Sequence, residues 1–135
     1  MDDITNKKDI ELLVDTFYGK VMINPIIGPI FSEVVRVNWG THLPKMYSFW
    51  GSLLLNEQSF SGNPMRVHIG LSALTAMTEV EFSEWLMLFH ETVDELFSGK
   101  IADEAKTRAS NIARLMRTKI KMNEQQSSVL FRSNR

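Results

Sequence analysis

The sequence contains no cysteine. This absence excludes disulfides, thiolate catalysis, zinc ribbons, iron-sulfur clusters and every cofactor that is attached through cysteine. A cofactor, if there is one, must be held noncovalently or through histidine and carboxylate side chains. Histidine itself is scarce, with three residues in 135.

An excess of charge of either sign is also missing. Lys and Arg number 15 against 16 for Asp and Glu, which gives a net charge of −1. No global field therefore draws the chain to phosphate backbones or anionic lipid, and we expect neither nucleic acid nor a membrane as partner. Long apolar runs are absent, and residues 1–6 lack the basic and apolar regions of a signal peptide. We expect a cytoplasmic protein.

What the chain does have is helical periodicity. Hydrophobic residues make up 44 % of the sequence and charged residues 23 %, typical of a globular domain. Apolar residues recur at helical spacing from Ile10 until Asn24 and Pro25 stop the first helix. The corner that follows, up to Phe31, contains two prolines and a glycine, which predicts a buried stretch of irregular or short 3₁₀ backbone.

Capping signals predict the later helices. One opens with Thr41 as N-cap and Pro44 in its first turn, and a short one opens at Asn63 and contains His68. Thr78 and Glu81 form a T-x-x-E capping box before the clearest helix, which ends at Ser98 and Gly99. The last helix runs roughly over residues 102–122. No alternating strand pattern competes, so we predict an all-α fold in which the last two helices pack antiparallel.

Several polar-tipped rings fall on apolar helix faces. Tyr18, His42 and Trp85 would each need a hydrogen-bond partner once buried. His68 lies among apolar neighbours, where its imidazole is either a hydrogen-bonded core residue or a metal ligand. His90 lies on a polar face and is predicted to be exposed, without a role. On residue type alone, core filling is the simpler interpretation of these rings.

Five sequence blocks together resemble the group III truncated haemoglobins, in order and in separation. They are 15–21 (DTFYGKV), 28–31 (GPIF), 42–50 (HLPKMYSFW), 62–68 (GNPMRVH) and 82–89 (FSEWLMLF). The resemblance covers nearly the whole chain from Ile10 to about Met122. It implies a truncated globin fold, a shortened 2-on-2 helical sandwich around haem, for residues 1–125, with 126–135 as a flexible tail.

The resemblance also implies residue roles. His68 corresponds to the proximal histidine that binds the iron of haem b (iron protoporphyrin IX), and Phe31 to the phenylalanine that packs on the porphyrin. Tyr18, His42 and Trp85 correspond to the distal ligand-binding positions. The remaining cofactor contacts would come from Met46 and Phe49 in the pocket, and from Lys45 and Arg66 at the propionates.

The function that the resemblance implies is binding of dioxygen, nitric oxide or carbon monoxide, with nitric oxide dioxygenation or peroxide reduction as implied reactions. The 135 residues offer no reductase domain, so we expect an external electron donor. No residue is assigned as catalytic. The alternatives are a haem-based gas sensor or store, a haem-free helical interaction module, and a form in which His42 itself binds the iron.

Overall fold

The computed structural model describes residues 1–34, 38–55 and 77–133. Within these ranges the chain forms four α-helices and one π-helix, and no strand. The helices are α1 (Lys7–Ile23), the π-helix (Ile30–Val34), α2 (Trp39–Leu55), α3 (Glu79–Leu96) and α4 (Lys100–Ser133). The predicted all-α fold is confirmed. The predicted short helix at Asn63 lies outside the described residues.

Helix α1 supplies one wall of the core. It begins after a capping box in which Asn6 and Asp9 each accept from the other's backbone N–H, a signal that the sequence analysis missed. Its buried face then follows the predicted apolar stripe, and Asn24 ends it as predicted. That face consists of Ile10, Leu13, Val14, Phe17, Tyr18 and Val21.

The corner after α1 is buried only in part: Pro25, Ile26 and Pro29 are exposed, and the other residues up to Phe31 are buried as predicted. A turn leads toward the π-helix, so the expected irregular or 3₁₀ backbone is wrong at Ile30 and Phe31. A Cβ added at Gly28 would lie 2.9 Å from the carbonyl oxygen of Met22. Glycine therefore lets the corner pack tightly on the end of α1 and turns Phe31 inward, where it is 7 % exposed.

Helix α2 begins earlier than the sequence predicted. The backbone carbonyl of Asn38 accepts from the N–H groups of Thr41 (3.1 Å) and His42 (2.8 Å), so Thr41 lies inside the helix and is not its N-cap. Pro44 consequently lies beyond the first turn. Because proline has no N–H, the carbonyl of Gly40 loses its usual helical partner.

Helices α3 and α4 form the predicted antiparallel pair. Arg117, in the middle of α4, pairs with Glu79 at the start of α3, while Lys106, early in α4, contacts Asp94 near the end of α3 at 2.8 Å. The Thr78–Glu81 capping box is present, as predicted. Both helices contribute buried aromatic and small side chains to the core: Phe82, Phe89, Val93, Ala102, Ala105, Ala109 and Ile112.

Two predictions for this pair need correction. His90 is half-buried and not exposed, because its Nε2 lies 3.1 Å from the carbonyl oxygen of Lys106 and 3.2 Å from Oγ of Ser110. The α4 backbone stays helical to Ser133, beyond the end predicted near Met122. The division into a domain over 1–125 and a flexible tail over 126–135 stays a prediction.

The N-terminal segment ties the start of α4 to the rest of the fold. Asp3 accepts from the backbone N–H groups of Ile101 (2.9 Å) and Ala102 (2.8 Å), and Ile4 beside it is buried. Of the helices in the described ranges, none is both long enough and apolar enough to cross a membrane.

Candidate functional site

Four rings from three elements meet at one end of α2. We call Tyr18 of α1, Phe31 of the π-helix, and Trp39 and His42 of α2 the four-ring cluster. The Tyr18 ring centroid lies 5.2 Å from that of His42, 5.3 Å from Trp39 and 6.2 Å from Phe31. Two of the predicted distal residues, Tyr18 and His42, are thus in direct contact, with Phe31 beside them.

Tyr18 is almost completely buried, at 4 % exposure. Burial raises the pKa of its phenol well above the ordinary value of 10.0, because the charged phenolate would lose its hydration. The hydroxyl group therefore stays protonated throughout the physiological range. A protonated phenol is a hydrogen-bond donor, which is the property that the predicted distal position requires.

His42 has a buried polar atom that the described residues leave without a partner. Its Nε2 is shielded from solvent and makes no hydrogen bond to any residue in the ranges 1–34, 38–55 and 77–133. Burial lowers the pKa of the imidazole below its ordinary value of 6.5, and the positive charge of Lys45 adds to the same effect. The ring is therefore neutral at pH 7, with an unsatisfied nitrogen facing the interior. A buried group of this kind is costly unless a ligand completes it.

Trp85 lies on α3 and is buried at 7 % exposure. Its ring contacts Phe17 edge to face, at a centroid distance of 5.7 Å, and stacks on Phe89 at 6.0 Å. Phe17 also touches Tyr18, at 4.9 Å, so one phenylalanine links the two residues. The structure thus places Trp85 in the aromatic core, connected to the four-ring cluster through Phe17.

The remaining predicted cofactor contacts divide into buried and exposed groups. Met46 and Phe49 follow His42 along α2 by about one and two turns, and both are buried, with exposures of 0 % and 2 %. Lys45 is exposed on the same helix. The predicted iron ligand His68 and the predicted propionate partner Arg66 lie outside the described residues.

Trp39 belongs to this site, and the sequence analysis missed it. Its ring contacts Tyr18, Phe31 and His42, the last at 5.6 Å. The available signal was its position three residues before His42, which puts both side chains on one helix face. With the N-cap predicted at Thr41, Trp39 falls outside the predicted helix, so a shared face with His42 is not predicted.

The fold and the site define a class of protein: a small all-α protein with neutral hydrogen-bonding rings set among buried apolar side chains. No family model matches the sequence. The chain is 31 % identical over 112 residues to the group 3 truncated haemoglobin of Campylobacter jejuni, a match that covers 80 % of this chain and 85 % of that protein.

A solved structure is similar as well. The crystal structure of the group III truncated haemoglobin from Campylobacter jejuni aligns with a TM-score of 0.74 at 27 % identity, covering 89 % of this chain and 95 % of that one. The chain belongs to the group III truncated haemoglobins. The resemblance found in the sequence and the truncated globin fold are both confirmed.

Membership of this family implies a haem cofactor, and the described residues fit one. A porphyrin needs a broad apolar surface, which Phe31, Met46 and Phe49 can provide from buried positions. The unpartnered Nε2 of His42 is a polar atom of the kind that a small ligand held beside the cofactor would satisfy.

Proposed function

We propose that the protein binds haem b and uses it to bind dioxygen, with nitric oxide and carbon monoxide as further ligands. In this proposal His68 is the proximal ligand, and Tyr18, His42 and Trp85 are the distal groups. The relatives reported above carry the name haemoglobin, which supports a gas ligand. Phe31, Met46 and Phe49 would pack on the cofactor, while Lys45 and Arg66 would pair with its propionates.

The observation that carries the proposal is the buried, unpartnered Nε2 of His42 in edge contact with the ring of Tyr18. An ordinary core seldom leaves a buried imidazole nitrogen without a partner, as the described residues do here. A diatomic ligand with partial negative charge on its oxygen resolves this arrangement, since it accepts hydrogen bonds from neutral donors.

A bound haem, held by His68, would supply an iron centre that binds a gas molecule. The chain's own residues then act through hydrogen bonding and exclusion of water. The Tyr18 hydroxyl and the Trp85 indole N–H donate toward the ligand, and the neutral His42 offers either a donor or an acceptor, depending on its tautomer. The buried aromatic side chains keep water away from these groups.

Several donors in one pocket would slow the release of dioxygen. Slow release favours reactions of the held gas over its delivery, so we include nitric oxide dioxygenation and peroxide reduction in the proposal. Either reaction requires an external electron donor. The decisive experiment is to mix the oxygenated protein with nitric oxide and to measure nitrate. If nitrate forms no faster than with free haem, nitric oxide dioxygenation is excluded and a gas sensor or store is favoured as the function.

Haem binding is tested first, by an absorption spectrum of the chain reconstituted with haemin. The wild type is expected to show a haemoprotein spectrum, and His68→Ala to lose the ferrous five-coordinate histidine signature. His90→Ala is the matched control, since His90 lies between α3 and α4 with partners of its own. A colourless wild type, or a His68→Ala spectrum identical to wild type, would contradict the proposal.

The same spectra separate two modes of ligation. A ligand-free ferrous protein that is high-spin has its sixth position open, as proposed. A low-spin ferrous spectrum that becomes high-spin in His42→Leu would instead show that His42 binds the iron.

A further inference from the structure

Trp39 contacts every other member of the four-ring cluster. It lies parallel to Phe31, with an interplanar angle of 27° and centroids 6.2 Å apart, and meets His42 edge to face at 79°. It also packs against Tyr18 at 5.3 Å, with the planes tilted by 59°. Trp39 thus contacts both predicted distal rings and the phenylalanine, as Tyr18 contacts the other three rings.

These contacts constrain how the polar rings are oriented. Aromatic pairs prefer edge-to-face and offset arrangements, so two ring neighbours restrict the rotation of a third ring. His42 contacts Trp39 at 5.6 Å and Tyr18 at 5.2 Å, both nearly perpendicular to it. If the Trp39 ring is removed, one of these two neighbours is lost.

The backbone of the first turns of α2 lacks one helical hydrogen bond. Trp39 and His42 lie in this part of the helix, before Pro44. The N–H groups of Thr41 and His42 bond to the carbonyl of Asn38, but Pro44 has no N–H to offer the carbonyl of Gly40. Side-chain contacts with α1 therefore add to the support of these turns.

We propose that Trp39 is a positioning residue of the gas-binding site: its half-buried indole locks the rings of Tyr18 and His42 in the orientation in which they face the ligand. This inference rests on the proposed function. Trp39 acts through the two rings and is not itself assigned a hydrogen bond to the ligand. Trp39 is half-exposed at the start of α2, so truncation of its side chain is expected to affect the site more than the hydrophobic core.

The test uses the haem-loaded protein and its variants Trp39→Phe, Trp39→Leu and Trp39→Ala. The control is Trp50→Phe, on the same helix, because Trp50 is fully buried and stacks on Phe89 at 4.8 Å, away from the cluster. In the carbonmonoxy form, the C–O stretching frequency reports how closely hydrogen-bond donors approach the ligand. Trp39→Ala and Trp39→Leu are expected to shift the band toward the position found in Tyr18→Phe, whereas Trp39→Phe restores most of the wild-type value.

Two further readouts follow in the same samples. The dioxygen dissociation rate of Trp39→Ala is expected to rise about fivefold, the effect of weakening one neutral hydrogen bond. The titration of His42, followed by NMR of its ring nitrogens, is expected to move up toward the ordinary value of 6.5, because the ring gains access to water. Trp50→Phe is expected to change none of these readouts, whatever it costs in stability.

The outcomes are separable. A wild type that shows no carbonmonoxy spectrum contradicts the proposed function. The positioning role alone is overturned if the wild type binds carbon monoxide and Trp39→Ala and Trp39→Leu leave three readouts unchanged. These are the C–O stretching frequency, the dioxygen dissociation rate and the titration of His42. If Trp39→Ala does not fold, Trp39→Leu decides, since leucine fills space without providing an aromatic neighbour.

Discussion

The imidazole of His42 meets the phenol ring of Tyr18 edge to face, with ring centroids 5.2 Å apart and an angle of 83° between the planes. Burial favours the neutral form of both groups. It raises the pKa of Tyr18 and lowers that of His42, so that both are neutral at pH 7. The site therefore offers hydrogen-bonding groups without a net charge. Such a site favours a small polar molecule over an anion, in keeping with the proposed gas ligand.

The hydroxyl group of Tyr18 can be removed with little disturbance of its ring contacts. Tyr18→Phe is expected to accelerate dioxygen dissociation about fivefold, since a neutral hydrogen bond contributes about 1 kcal/mol. Stopped-flow displacement of dioxygen measures the rate. Tyr47→Phe is the matched control, because the Tyr47 hydroxyl donates to Asp15 and takes no part in the cluster. Equal rates in wild type and Tyr18→Phe would assign Tyr18 to the core.

The indole N–H of Trp85 is the second proposed donor. Trp85→Phe keeps an aromatic ring against Phe17 and Phe89 while deleting the donor, so dissociation is again expected to be about fivefold faster. Trp50→Phe controls for the loss of a buried indole. If neither Trp85→Phe nor Tyr18→Phe changes the rate, both rings are core residues and the distal assignment is wrong.

The lowered pKa of His42 predicts a pH dependence of stability. As the pH falls below 6.5, the unfolded chain binds a proton at this imidazole before the folded chain does. Protonation then favours the unfolded state, so the free energy of unfolding decreases between pH 6.5 and the lower folded pKa. Denaturant titrations at pH 8 and at pH 5 are expected to differ less for His42→Gln than for wild type. An equal difference would contradict a buried neutral His42.

The candidate site was predictable where it depends on helix faces. Tyr18 lies on the apolar stripe of α1 and Trp85 on that of α3, and both are buried as their positions indicate. Trp39 was missed because Thr41 and Pro44 offer a competing start signal for α2, although Asn38, just before Trp39, is itself a preferred N-cap type. The roles of His68 and Arg66 stay predictions, carried by the resemblance.

The helix ends of the fold depend partly on local sequence signals and partly on contacts between distant residues. The Thr78–Glu81 box and the break at Asn24 are local signals, and both were predicted correctly. The cap on α4 comes instead from Asp3, almost the whole chain away, and pattern reasoning over a short window cannot find such a contact. The π-helix at Ile30–Val34 likewise depends on how the corner packs against α1.

Asp3 is expected to stabilise the fold as a distant cap of α4. Asp3→Ala should cost about 1 to 2 kcal/mol of unfolding free energy, in the range of an N-cap deletion. Burial raises the pKa of Asp3, but the N–H groups of Ile101 and Ala102 outweigh it and lower the pKa overall. The contribution is therefore present above the ordinary value of 3.8 and is lost as the pH falls toward the folded pKa. Asp2→Ala is the control, because Asp2 contributes its backbone carbonyl, which accepts from Ser98.

Two glycines should respond to alanine with opposite signs. Gly99 has a φ of 147°, and a Cβ there would lie 2.5 Å from Cγ of Asp3, so Gly99→Ala both strains the backbone and displaces the cap. A loss of about 1 to 3 kcal/mol in the free energy of unfolding is expected.

Gly19 lies on the exposed side of α1 with nothing within 4 Å of its added Cβ. Gly19→Ala should therefore gain about 0.5 to 1 kcal/mol of stability through helix propensity. Denaturant unfolding of both variants measures the difference; a Gly99→Ala protein as stable as wild type would show that Asp3 does not pack against this position.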